Sequence, residues 1–342
     1  GFLGPNGAGK STTMRILAGV GRADSGVARV CGFPVARDPA RVQSRIGYMP
    51  ENNPLPESMR VEEYLRLRAA LKGLSGRRRK QQVQEAMDIC ELSRKAGKRL
   101  IGNLSKGFRQ RVGVADAILG PPEVIIMDEP TIGLDPHQVI RMRQLIRSLR
   151  GRMSILISSH ILSEVDAYCD RVIIINQGRI VANDAPDALR AHFLPGARFR
   201  IEADGSPERV TGVLQHAAPG ITVTGVGGSR GSAVHGPGDT GFHAYEVHAG
   251  DPEQPGEVLI AALVNGGQRV RTCARVVPTL EDVFLAATPR GWEQRARTRH
   301  GGPEDSPPGP ASQDAGEDAI FFRNKPLSPP DNRSSRASGG PV

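Results

Sequence analysis

Short blocks of Ile, Val, Leu and Met alternate with longer stretches in which apolar residues return every third or fourth position, from Gly1 to about Phe193. The blocks predict buried strands and the stretches predict helices laid against them. In order, the spacing predicts a helix over 11–18, strands over 27–31 and 46–49, helices over 61–71 and 82–92, and a helix over 105–119. There follow a strand over 124–128, a helix over 137–149, a strand over 155–158, a helix over 163–168 and a strand over 172–175; a Gln177-Gly178 turn then leads into Ile180-Val181. The two helices between 61 and 92, the second marked by Val83, Met87 and Cys90, form a helical insert. Alternation of this kind implies α/β architecture built on a parallel sheet.

Pro195-Gly196 interrupts this order, and shorter strands follow at 199–201, 222–226, 244–247 and 270–274 with two helical stretches among or after them. Residues 1–193 therefore form one domain and 197–288 a smaller α+β domain. Over 289–342 Pro, Gly, Ser and charged residues dominate, with Phe321-Phe322 the sole apolar cluster, and such a composition predicts a disordered tail. A chain of 342 residues suits two domains. Aromatic residues make up only 4%, so the core has to be built from Ile, Val, Leu and Ala.

The net charge of +9 favours phosphate-bearing partners without choosing among them. Basic residues concentrate in Arg77-Arg78-Arg79-Lys80 and Arg94-Lys95-Ala96-Gly97-Lys98-Arg99, runs that suit a solvated helix end or loop better than an anionic membrane contact. The four cysteines are scattered and form no C-x-x-C pair, which supports neither a disulfide framework nor a zinc site and fits a reducing cytosol. The longest apolar runs are strand-sized, far short of a membrane-spanning helix. Gly1-Phe2-Leu3 has the character of a strand already in progress, so an upstream segment is expected to be missing.

Between that strand remnant and the first helix, Gly4-Pro5-Asn6-Gly7-Ala8-Gly9-Lys10-Ser11 fits G-x-x-x-x-G-K-[ST], the setting in which this sequence wraps phosphates. The glycines let backbone N–H groups and the helix N-terminus approach the negative charge. Lys10 is expected to reach the β- and γ-phosphates and Ser11 to ligate Mg²⁺, with Thr12 closing the nucleotide-binding stretch. Val124-Ile125-Ile126-Met127-Asp128-Glu129 is an apolar strand ending in two carboxylates. It places Asp128 at the carboxyl edge of the sheet, to hold Mg²⁺ through water, and Glu129 where it can orient or deprotonate an attacking water.

Shortly before that strand, Leu104-Ser105-Lys106-Gly107-Phe108-Arg109-Gln110-Arg111 resembles the signature sequence of ABC ATPases. Gly133-Leu134-Asp135-Pro136 is similar to the D-loop of that family, and Ser158-Ser159-His160 to its switch-histidine segment. These motifs occur in family order over residues 1 to about 185. The resemblance implies a P-loop NTPase fold of the ABC nucleotide-binding type, ATP and Mg²⁺ as cofactors, and Glu129 and His160 as catalytic residues. It also implies a head-to-tail homodimer of ATP-binding subunits, in which Ser105, Lys106, Gly107 and Asp135 of one subunit face the nucleotide of the other. Ser105 suits a helix N-cap as well, and the two roles are compatible. The family places an adenine-stacking aromatic before the phosphate loop, in the segment expected to be missing.

Two departures stand out. Tyr48-Met49-Pro50-Glu51 carries a carboxylate where many ABC proteins have Gln, and Glu51 can still ligate a hard cation through oxygen. The signature has Lys106 in place of a small residue and Phe108 in place of Gln. These departures, and Pro278-Thr279-Leu280-Glu281-Asp282-Val283-Phe284-Leu285, resemble the branch whose subunits pair with a separately encoded six-helix permease. Many of these are exporters of drugs, lipids or polysaccharides, or parts of gliding motility. Membership implies ATP-driven transport from the cytoplasmic face of the cell membrane, with the chain peripheral, a permease as partner and no nucleic acid. The alternative is a soluble ABC-type ATPase acting on nucleic acid or the ribosome. It is disfavoured because 53–103 holds only short helices without sustained heptads and the chain has one cassette; a non-hydrolysing nucleotide switch, in turn, would be expected to lack Glu129 or His160, and both are present.

Overall fold

The computed structural model describes residues 1–93, 96–218, 220–227 and 242–288. The tail expected to be disordered, 289–342, lies outside the described residues, as do Arg94 and Lys95 of the second basic run. The first half of the chain gives β1 (Phe2–Leu3), α1 (Lys10–Leu17), β2 (Arg29–Val30), β3 (Phe33–Pro34), α2 (Pro39–Gln43), β4 (Ile46–Met49), α3 (Val61–Leu71), α4 (Gly76–Ile89), α5 (Lys106–Ile118), β5 (Val124–Asp128), α6 (Pro136–Ser148) and β6 (Ser154–Ser159). The second half gives α7 (Leu162–Tyr168), β7 (Val172–Asn176), β8 (Arg179–Asp184), α8 (Pro186–Phe193), β9 (Ala197–Asp204), α9 (Pro207–Ala217), β10 (Thr222–Gly227), β11 (Phe242–Ala249), α10 (Gly256–Asn265), β12 (Val270–Arg275) and α11 (Leu280–Ala287). The contacts divide the chain into two units, one of Gly9–Ser159 and one that joins Gly1–Ala8 to the described residues from His160 on.

In the first unit β4, β5 and β6 run parallel, with Ile46 beside Val124 and Asp128 beside Ser158. Every residue of β5 is buried, as expected of a central parallel strand covered on both faces. Each fully buried Ile or Val there contributes about 1.5–3 kcal/mol. Helix α5 is buried along almost its whole length from Gln110 to Ile118, so its polar members need partners. Asp116 has them: the Tyr64 hydroxyl donates to Oδ2 at 3.1 Å and Arg68 Nε donates to both carboxylate oxygens at 2.9 Å. Lys72 Nζ donates to the carbonyls of Asp116 and Leu119 at 2.7 and 3.0 Å, capping the negative end of α5. The helical insert is thereby tied to the helix that carries the signature sequence.

Helix α4 starts at Gly76, six residues before the apolar spacing predicts. Its buried stripe is Val83, Ala86 and Met87, and Arg77–Lys80 form the polar first turn, which carries no apolar marker. Strand β2 falls within the predicted 27–31, whereas short α2 and strand β3, which pairs with β2, go beyond the sequence expectation.

In the second unit β1 pairs parallel with β7, and β8 pairs antiparallel with β7. Further along, β9 to β12 form an antiparallel sheet in the order β10-β11-β9-β12, and α9 and α10 supply Val210, Leu214, Leu259 and Leu263 to the core on one of its faces. The succession β-α-β-β-α-β in this order is the split βαβ arrangement. Strand β9 is longer than predicted because its inward residues Ala197 and Ala203, flanking Phe199 and Ile201, are too small to mark the alternation strongly. Helix α11 packs elsewhere, with Leu280 and Val283 in a cluster with Leu3, Val165, Val172, Ile174 and Leu189. Thr279 starts it with a capping box to Asp282, and Arg190 Nε donates to the Pro278 carbonyl at 2.7 Å. Among the described residues no helix is long and apolar enough to cross a membrane.

Candidate active site

The phosphate-loop sequence runs from the end of β1 to the start of α1. Gly4 is buried, and a Cβ there would lie 2.8 Å from Ile175 Cγ2 and overlap the Ile175 carbonyl, so no side chain fits. The loop turns back on itself through Ala8 N–H donating to the Pro5 carbonyl at 3.1 Å, and Gly178 N–H donates to the Ala8 carbonyl at 3.0 Å. Pro5, Asn6 and Gly7 are exposed. Gly9, in the left-handed region at φ 106°, is the N-cap of α1; no side chain caps this helix and no acidic residue occupies its first turn. A helix start of this kind presents its backbone N–H groups to an anion. Ser11 and Thr12 lie in that first turn, and Lys10 is buried with Nζ 4.0 Å from Glu129 Oε1.

Parallel pairing of β5 with β6 sets Ser158 beside Asp128. Its Oγ donates to Asp128 Oδ1 and accepts the Glu129 N–H at 2.9 Å. Asp128, Glu129 and Ser158 are 2%, 6% and 0% exposed, so these bonds are formed away from water, where they hold the Asp128 carboxylate and the Glu129 backbone in place. Glu129 adopts φ 51°, an unusual left-handed conformation for a residue with a side chain. That strain sits at the residue expected to act on water. On β4 the Tyr48 hydroxyl is pushed up by burial first and by the negative charge of Asp128 second. The sequence had singled out Asp128 and Glu129; the hub role of Ser158 needed the strand register. His160 follows β6 directly and is exposed.

Ser105 is the N-cap of α5, accepting the Phe108 N–H at 3.5 Å, and Asp135 is the N-cap of α6, accepting the Gln138 N–H at 3.0 Å. The two helix starts touch: a Cβ on Gly107 would lie 2.5 Å from Gln138 Cδ, and one on Gly133 would lie 3.2 Å from Lys106 Cε. Ser105, Lys106 and Asp135 are exposed. Glu51 is also exposed, beyond β4, and lines a cavity of about 320 Å³ with Asn52, Asn53, Lys106, Arg109 and Gln110. Among the described residues no three His, Cys, Asp or Glu converge into a metal cage. One hydroxyl and one carboxylate beside a phosphate loop suit Mg²⁺, which keeps several waters and binds through one or two carboxylates together with phosphate oxygens.

Residues 1–132 match the family model described as ABC transporter. The chain is 31% identical over 295 residues to the Nod factor export ATP-binding protein I of Rhizobium sp. (strain N33), covering 86% of this chain and 89% of that protein. It is 34% identical over 291 residues to the daunorubicin resistance ATP-binding protein DrrA2 of Streptomyces coeruleorubidus, covering 84% and 85%. A solved ATP-binding subunit of an ABC transporter superposes with a TM-score of 0.51 at 32% identity, covering 57% of this chain and 81% of that one. With the phosphate loop, the paired carboxylates and relatives matched over most of their length, the chain belongs to the ABC transporter ATP-binding proteins, the subunits that bind and hydrolyse ATP to drive transport.

Proposed function

We propose that two copies of this chain close head-to-tail over two MgATP molecules and drive export through a separate membrane permease at the cytoplasmic face of the membrane. The supporting observation is the division of the motif residues into two sets. Lys10, Asp128 and Glu129 are buried together, whereas Ser105, Lys106 and Asp135 stand exposed at two touching helix starts that can receive an anion from another molecule. The names of the Nod factor and daunorubicin relatives favour export.

In this reading the backbone from Gly4 to Ser11 and the Lys10 ammonium hold the phosphates, with Thr12 in the same turn. Mg²⁺, when bound, neutralises charge on the β- and γ-phosphates. The Ser11 hydroxyl and Asp128 hold it, with Glu51 as a further oxygen donor. Arrival of the γ-phosphate draws Lys10 away from Glu129, and the carboxylate then takes a proton from the attacking water. His160 senses the γ-phosphate. Ser105, Lys106 and Gly107 contact the nucleotide of the partner subunit, and Asp135 lies at the same junction.

Two measurements test this. Turnover by a composite site rises more steeply than linearly with protein concentration at low concentration, and Ser105→Arg abolishes it while leaving ATP binding by the monomer intact. Turnover strictly proportional to protein, with Ser105→Arg fully active, would show a site complete within one subunit. Stimulation by duplex DNA or by RNA would favour a nucleic-acid ATPase over a transport subunit.

A further inference from the structure

Glycine is a poor residue for a helix interior, yet Gly113 lies in the middle of α5. Asn53 occupies the space its side chain would need: a Cβ on Gly113 would overlap Asn53 Nδ2 and lie 2.9 Å from Cγ. The same nitrogen donates to the Arg109 carbonyl at 3.4 Å, the acceptor one helical turn before Gly113. Around this contact the packing is open, because the 320 Å³ cavity separates Glu51, Asn52 and Pro54 from Lys106, Arg109 and Gln110. Among the described residues, Asn53 makes the only side-chain hydrogen bond from residues 51–54 to α5. Further along, backbone bonds join the same segment to the approach of the signature sequence, Ile101 N–H donating to the Met59 carbonyl at 2.9 Å and Gly102 N–H to the Glu57 carbonyl at 3.0 Å.

We infer that Asn53, seated against Gly113, is a positioning residue that makes Glu51 and the signature end of α5 move as one piece. The inference rests on the composite-site reading above, in which Glu51 attends the nucleotide of its own subunit and Ser105 to Gly107 attend that of the partner. Asn53 stands two residues from Glu51, and its acceptor lies in the first turn of α5. A displacement of Glu51 on nucleotide binding is passed through this clip to the surface offered to the other subunit. Without it the loop shifts within the cavity and the signature end stays where it was.

The test uses Glu129→Gln protein, in which hydrolysis does not drain the closed dimer. MgATP-dependent dimerisation is measured by sedimentation equilibrium, and nucleotide binding is measured with a fluorescent ATP analogue below the dimerisation concentration. Asn53→Ala and Gly113→Ala, the second evicting the amide with a methyl group, are each expected to leave analogue binding within about twofold. Each should weaken dimerisation roughly tenfold, the scale on which contacting residues couple. The double variant should be no worse than either single one, because both remove the same contact. In the wild-type background the Hill coefficient for ATP turnover should fall towards one. A Glu129→Gln parent that remains monomeric overturns the composite site and this role with it. A parent that dimerises normally, with variants that have no effect or whose effects multiply, overturns the clip alone. Should Gly113→Ala fail to fold, Asn53→Ala decides by itself, since it removes a partly exposed side chain without adding bulk.

Discussion

The Ser158 hydroxyl donates a hydrogen bond to Asp128 Oδ1 and accepts one from the Glu129 N–H, so one side chain fixes the Asp128 carboxylate and the Glu129 backbone, at the two residues proposed to handle the metal and the water. Ser158→Ala leaves a buried N–H and a buried carboxylate oxygen short of a partner, at a cost of about 1–3 kcal/mol in stability. The expected loss of turnover is about 10- to 100-fold, the effect typical of groups that orient metal ligands, with a much smaller change in ATP binding. Denaturant unfolding and steady-state phosphate release measure the two effects separately, and unchanged turnover would show that Glu129 needs no such support. The phosphate-loop residues and the carboxylate pair were legible in the sequence because their chemistry is local: consecutive glycines, a lysine and a hydroxyl, or two acids ending an apolar strand. Ser158 was legible only as part of a histidine segment, and its work depends on the pairing of β5 with β6. Asn53 and Gly113 gave no signal, since neither residue type is unusual until the fold brings them together.

Among the elements, α5 is held to the helical insert by polar contacts rather than by apolar packing alone. The Tyr64 hydroxyl is pushed well above the usual phenol value, first by burial and then by the negative charge of Asp116, to which it donates. Because the folded value is raised, the contribution of this hydroxyl to stability is complete below the unfolded value of about 10 and is lost as pH rises through the folded value. Tyr64→Phe is therefore expected to be less stable than the wild type by about 1.5–3 kcal/mol at pH 8, the range for a hydrogen bond to a charged group. Above pH 10 the gap should close as the wild-type tyrosine loses its advantage. Urea unfolding of both proteins at pH 8 and pH 11 measures this, and a gap that stays constant would exclude the phenol as its source. Element type was readable wherever apolar spacing was strong, as in β5, α3 and β7. It was muted where small or charged residues replaced the markers, at the alanine-flanked ends of β9 and the arginine-rich start of α4.

For the molecule as a whole, the expected motif order is accompanied by relatives matched over more than four-fifths of the chain, so the ATP-binding subunit of a transporter was legible from the sequence. The route of coupling was not, because it runs through contacts between segments that are remote in the chain. The most direct measurement is made on Glu129→Gln, which keeps the size and hydrogen bonding of the side chain and removes the carboxylate proposed to activate water. Size-exclusion chromatography with MgATP is read beside phosphate release. The expected result is a stable ATP-dependent dimer that hydrolyses about 10²- to 10⁴-fold more slowly than wild type. Lys10→Ala should instead lose both dimer and turnover, because it removes a phosphate contact. A Glu129→Gln protein that stays monomeric with MgATP, or that releases phosphate at the wild-type rate, would contradict a composite site with Glu129 as its base.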